Sequence, residues 1–229
     1  MLQSFGDNIW TAEGPIAVVA GFRYPTRMAV IRLSDGTLFI WSPVALFVGL
    51  RAAVDALGPV RHIVAPNSLH HLFIGDWQAA YPDATLYAPP GLRKRRKDIV
   101  FDVDLDDDPV PEWAGEIDQV AVRGNAITTE IVFFHRNSRT AIFTDLIQHF
   151  EPGWFTGWRA LVAGLDLMTG PEPEVPRKFR GAFTNRSAAR AALRRILAWP
   201  AEKVLMAHAA PIGSGGQAFI ARTFAWLLA

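Results

Sequence analysis

Short apolar runs, each bounded by turn or helix signals, constrain this chain more than any other feature. Ile16–Ala20, Met28–Leu33 and Leu38–Trp41 read as strands, and Ser34-Asp35-Gly36-Thr37 supplies the Asp-Gly chemistry of a tight hairpin between the last two. Apolar residues at helical spacing follow over Val44–Leu57, and Gly58-Pro59 stops that helix. A buried strand over Arg61–Ala65 then ends in Pro66-Asn67-Ser68. The idea repeats with a helix over His70–Tyr81, a strand over Thr85–Ala88 and a short basic helix over Pro89–Lys97. Asp102–Glu116, acidic and Pro-containing, reads as an exposed connection.

Strands return at Ile117–Val122, Glu130–His135 and Thr140–Thr144. Helices are expected at Trp154–Leu167, Asn185–Trp199 and Gly216–Leu228, with a strand at Lys203–Ala207 between the last two. Two β–α halves, packed sheet against sheet with helices outside, fit this order. No repeat or linker divides the 229 residues, so one domain over 1–229 is expected, large enough to bury a core without disulfides.

Composition removes several classes of function. Cys is absent, which excludes thiolate ligands, disulfides and a Cys nucleophile. A formal net charge of +1 gives no global field to draw nucleic acid or a membrane surface. The basic run Arg93–Lys97 adjoins the acidic stretch Asp98–Asp108, which neutralises it locally. No signal peptide or spanning apolar run is visible, so a soluble, cytoplasmic protein without nucleic-acid or membrane partners is expected. No dinucleotide or Walker pattern occurs, and Ser68 and Ser138 lack an elbow motif. Gly213-Ser214-Gly215-Gly216 reads as a turn with a Ser cap. Trp154, Phe155, Trp158, Leu161 and Leu165 form a helix-spaced stripe for the core; any exposed part would wall a pocket or pair two copies.

Three polar clusters each follow a predicted buried strand: Asn67–His71, Asp145 and His208. Loops at the carboxyl ends of strands are where α/β proteins collect ligands. One such His or Asp alone usually caps a helix or bonds a loop. Three in matching positions suit a divalent ion such as zinc, iron or manganese.

The order of elements and these clusters resemble the metallo-β-lactamase superfamily, whose fold is an αββα sandwich of two mixed β-sheets with outer helices. Ala65–Phe73 lies where the superfamily keeps His-x-His-x-Asp-His, Arg123-Gly124-Asn125 through Asp145 resembles its Gly-His…Asp stretch, and Ala207-His208-Ala209 its closing His element. Leu69–Phe73 and Glu130–Thr140 resemble an uncharacterised branch. In that register Pro66, Ser68 and Asn125 or Ala126 replace the three histidines of the first metal, while His70, His71, Asp145 and His208 fall on the second metal's positions.

The resemblance therefore implies a degenerate, single-metal hydrolase site without an organic cofactor. Its ligands would be His71, Asp145 and His208, with His70 or Glu130 as further ligands and Asp145 as the catalytic carboxylate. Neighbouring His70 and His71 at a helix start point about 100° apart, which favours only one of them, and His71 is preferred. Glu130 and His135 begin and end one strand and face opposite sides of its sheet. A small-molecule substrate is expected. The alternative is a catalytically inactive member of the fold that binds a small molecule or a protein.

Overall fold

The computed structural model describes residues 1–229. Seven strands form one sheet in sequence order: β1 (Gln3–Gly6), β2 (Ile9–Val19), β3 (Phe22–Arg32), β4 (Leu38–Trp41), β5 (Val60–Val64), β6 (Thr85–Ala88) and β7 (Val103–Asp104). The first four pair antiparallel and the rest parallel. Four strands form the second sheet in the order β11 (Lys203–His208), β10 (Thr140–Gln148), β9 (Glu130–His135), β8 (Ile117–Val122). There β10 and β11 run parallel and the other pairs antiparallel.

Alternation along the strands builds the layers, because successive side chains point to opposite faces of a sheet. Ile31, Phe39, Trp41 and Val64 turn inward to meet Phe133, Ile142 and Leu205 of the second sheet. Their neighbours Val30, Ile40 and Ile63 turn outward, where α1 (Val48–Asp55) and α2 (Ile74–Ala80) cover them. On the second sheet Phe143, Val204 and Met206 face outward against α5 (Arg177–Ala182), α6 (Arg186–Leu197) and α7 (Gly216–Thr223). The result is the expected αββα sandwich. A short α3 (Leu92–Arg95), α4 (Trp158–Leu165) and a terminal α8 (Ala225–Leu228) complete the chain. No helix is long and apolar enough to cross a membrane.

Several sequence expectations change. The strand expected at Ile16–Ala20 is the outer part of β2, because β2 and β3 form a hairpin of eleven-residue strands whose far half stands clear of the core, and β1 precedes them. The second helix begins at Ile74 rather than His70, because Asn67 Oδ1 accepts from the N–H groups of Leu69 and His70 and holds a turn there. Asp102–Glu116 is not simply exposed: it carries β7, and Trp113 is fully buried against Phe39 and Tyr87. The helix after Gly213 starts at a left-handed Gly215 with no Ser cap. The aromatic stripe is only partly core: Phe155 is buried, whereas Trp158, Leu161 and Leu165 are exposed on α4. In the basic run, Arg93 pairs with Asp104 and Arg96 with Asp98, as local neutralisation requires.

Candidate metal centre

The carboxyl ends of β5, β10 and β11 converge at one rim. His70, Asp145 and His208 meet there, with one ligand-capable atom from each lying within 4.8 Å of the others. His70 Nε2 stands 3.1 Å from His208 Nε2 and 3.3 Å from Asp145 Oδ2, and His208 Nε2 is 3.5 Å from Asp145 Oδ1. Both imidazoles are nearly buried, with 10% and 5% of their side chains exposed.

A break in strand pairing brings Asp145 out. Phe143 pairs with Met206, yet the next matched pair is Gln148 with His208, so β10 spends five residues where β11 spends two. Such a bulge strips backbone N–H groups of their ladder partners. Glu130 replaces those partners: its Oε1 accepts from Thr144 N at 2.8 Å, and its Oε2 from Asp145 N at 2.8 Å and Leu146 N at 3.1 Å. Asn67 Nδ2 adds contacts to Glu130, Thr144 Oγ1 and Asp145 Oδ2. Asn67 thus fixes the His70 turn through its oxygen and the Asp145 bulge through its nitrogen.

The second nitrogen of each imidazole is also held. His208 Nδ1 lies 2.8 Å from the Pro25 carbonyl, which can only accept, so Nδ1 carries a proton and Nε2 faces the cluster. His70 Nδ1 lies 2.8 Å from Ser42 Oγ. Ser42 itself adopts φ 50°, a left-handed conformation uncommon for a non-glycine residue. Arg27 clamps the chain on either side of His208, donating to the carbonyls of Met206 and Ala209 at 2.5 Å each.

Electrostatics follow from burial and neighbours. Burial works against ionisation of Asp145, but the His70 and His208 rings beside it hold its carboxyl well below the usual range. Burial, and then the Asp145 carboxylate, push Glu130 upward against the N–H donors that favour its charged form. Every polar group around the Glu130 oxygens is a donor, so the arrangement is built for a carboxylate.

The expected site residues thus separate. His70, Asp145 and His208 come together; His71, preferred from the sequence, does not join them. Its Nδ1 and carbonyl face Arg96 Nη1, at 3.2 and 2.7 Å, and burial together with Arg95 and Arg96 lowers its pKa. The turn held by Asn67 decides which of the two adjacent rings looks inward. Glu130 lies beneath the cluster with its oxygens occupied by backbone N–H groups. His135 sits at the far end of its strand and bonds Ser138 Oγ at 2.7 Å. At the replaced positions, Ser68 bonds Thr128, and Asn125 bonds the Phe179 carbonyl and the Ile127 N–H.

Sequence reasoning missed Ser42, Pro25, Arg27 and the double role of Asn67. Only Asn67 left a signal, as a turn-forming residue directly after a buried strand. Pro25 and Arg27 come from the β2–β3 hairpin and Ser42 from the end of β4, which only the tertiary fold brings to the site.

Above the triad opens a cavity of about 500 Å³. The β2–β3 hairpin, the 69–73 turn and α4 supply its walls, and His71, Gln148 and Lys178 add polar groups.

Residues 6–154 match the model of one protein family, described as a domain of unknown function (DUF4336). The chain belongs to this family. No curated protein matches it in sequence. Solved structures match over nearly the whole chain. The DIM-1 metallo-β-lactamase exposed to ceftazidime is 14% identical with a TM-score of 0.66, covering 99% of this chain and 95% of its own. The metallo-β-lactamase from Pontibacter korlensis is 12% identical with a TM-score of 0.65, covering 99% and 98%. The Flv1 flavodiiron core from Synechocystis sp. PCC6803 is 12% identical with a TM-score of 0.69, covering 100% of this chain and 60% of its own. This DUF4336 chain therefore has the metallo-β-lactamase fold, and its candidate site stands at the sheet rim of that fold.

Proposed function

We propose that this DUF4336 protein is a hydrolase that uses one divalent ion held by His70, Asp145 and His208. The observation that carries the reading is the spacing of the three ligand atoms. Ligand atoms about 2.0–2.1 Å from a tetrahedral ion stand roughly 3.3 Å apart. The two Nε2 atoms stand 3.1 Å apart, and each faces its own carboxylate oxygen, His70 Nε2 at 3.3 Å from Asp145 Oδ2 and His208 Nε2 at 3.5 Å from Asp145 Oδ1, with one ligand atom from each residue within 4.8 Å of the others. Metal-binding imidazoles are oriented by donating their other nitrogen to a carbonyl, and His208 Nδ1 is held in that way by Pro25.

A bound ion would supply Lewis acidity, polarising a substrate carbonyl and acidifying water. The chain's own residues set the geometry. Ser42 and the Pro25 carbonyl fix the ring planes, while Asn67 and Glu130 fix the carboxylate. Gln148 Nε2, 3.3 Å from Asp145 Oδ1, fixes the second carboxylate oxygen. Zinc, iron and manganese all suit two imidazoles and a carboxylate.

Elemental analysis after zinc loading and chelator-free dialysis tests the reading. One ion per chain is expected, lost in His70→Ala and His208→Ala but retained in His71→Ala. A protein that takes up no zinc, iron or manganese, or whose uptake ignores His70 and His208, sinks it.

One observation favours a second reading, a non-catalytic binding protein. His70 Nε2 and His208 Nε2 at 3.1 Å can share a proton as an ordinary hydrogen bond, which closes the network without an ion. The same metal analysis separates the two readings.

A further inference from the structure

The cavity above the triad has an uneven chemistry. Its floor is His70, Asp145 and His208, but its walls are apolar and partly aromatic: Phe22, Tyr24, Leu69, Met168 and Phe179 all line it. The one lysine on the walls is paired, because Lys178 Nζ stands 3.2 Å from Asp166 Oδ2 and both line the cavity. Arg95, at the rim, is the remaining cation among the lining residues and makes no ion pair.

The mouth is stranger still. Val19, Leu72, Ile127 and Val162 line the cavity with 59%, 55%, 41% and 41% of their surface exposed. Ile16 and Val18 of the same hairpin, and Leu161 and Leu165 of the same helix, are exposed as well. Large apolar side chains held in water around a concave site mark a surface that a ligand covers. Structure built for this purpose holds the two sides together: Phe22 packs edge-on against Phe155 and Trp158 at 5.4 and 5.7 Å, joining the hairpin to the α4 segment.

We infer that the cavity takes an uncharged carbonyl compound with a straight apolar tail of medium length, its head on the triad and its tail between Val19, Leu72 and Val162. A polar head fits the floor, where His70, Asp145 and His208 cluster with Ser42 and Gln148 beside them. An apolar tail fits walls whose one lysine is already neutralised. At about 500 Å³ the space lies within the usual range for small-molecule sites, roughly 300–1,000 Å³. The placement of the head rests on the hydrolase reading; the choice of tail rests on the walls and mouth alone.

Calorimetric titration of the metal-free protein with the N-methylamides of acetic, butyric, hexanoic and octanoic acids tests the tail. These ligands are neutral and resist hydrolysis. Affinity should rise by about fourfold per methylene, the factor that full burial of each group gives. Val19→Asp and Val162→Asp change exposed positions and leave the fold intact. Each should flatten the dependence of affinity on chain length. Affinity that ignores chain length, or a dependence that survives both substitutions, overturns the inference. Turnover of the matching methyl esters by zinc-loaded protein is measured separately. Chain-length-dependent binding without turnover supports the tail inference and counts against the hydrolase reading. Turnover of the acetate ester with no gain from longer chains does the reverse.

Discussion

Glu130→Gln gives the sharpest test of how the site is built. The wild-type carboxylate accepts three backbone N–H groups from the β10 bulge, one on Oε1 and two on Oε2. The amide is nearly isosteric but must place an NH₂ where one oxygen stood. Keeping Oε2 in place costs least, so the NH₂ meets the Thr144 N–H, donor against donor. An orphaned buried N–H costs about 1–3 kcal/mol, and the two surviving bonds lose their charge assistance, worth roughly 1 kcal/mol more. Relief of repulsion from Asp145 returns part of this. The expected net loss is about 2–4 kcal/mol. Urea denaturation followed by circular dichroism at neutral pH reads it directly, as a lower midpoint with an unchanged slope. The sequence pattern suggested a different role, with Glu130 as a metal ligand; in that case zinc affinity would fall while stability held. A variant within 0.5 kcal/mol of wild type would refute the view that this carboxylate replaces the missing ladder partners.

Two further outcomes follow from other residues. Ser42→Gly preserves the left-handed backbone but removes the hydroxyl facing His70 Nδ1, so zinc affinity in a competition titration should fall by about 10–100-fold with the fold unchanged; an unchanged affinity would show that Ser42 does not orient the ring. Burial, offset in part by Glu116, holds His135 at about 4, below the ordinary 6.5. The unfolded chain therefore binds the extra proton between these values, and a contribution of roughly 3 kcal/mol, complete above pH 6.5, is lost as pH falls toward 4. His62, also lowered by burial, adds to the slope in the same direction. His135→Gln should flatten the fall in urea midpoint between pH 7 and 4.5, and an identical slope in the variant would refute the assignment.

The fold was legible because its signal is periodic and local. Buried strands such as Leu38–Trp41 and Glu130–His135 announce themselves as apolar runs, and Gly58-Pro59 ends a helix wherever it occurs. The long β2–β3 hairpin was half hidden because Pro15, Thr26 and Arg27 interrupt its apolar pattern; its outer half is shaped by the cavity it walls, not by the core. The triad was legible as three positions after three strands. The choice between His70 and His71 was not, because it depends on a side chain bonding its own turn. Asn67 Oδ1 takes the N–H groups of Leu69 and His70, and so delays the helix by four residues relative to the apolar pattern.

That delay couples the parts of the site to one another. A helix starting at His70 would leave Asn67 free and turn the two imidazoles on a regular spiral. Instead Asn67 is shared between the turn and the bulge, so the position of His70 and that of Asp145 are set by one buried amide. His208 is set independently, by Pro25 and Arg27 of the hairpin. The triad is therefore preorganised from both sheets: one side through Asn67 and Glu130, the other through the β2–β3 hairpin whose outer half also walls the cavity. An ion and an apolar ligand would meet on elements that already share their supports, so a change in the hairpin reaches the triad through His208 without passing through the ligand.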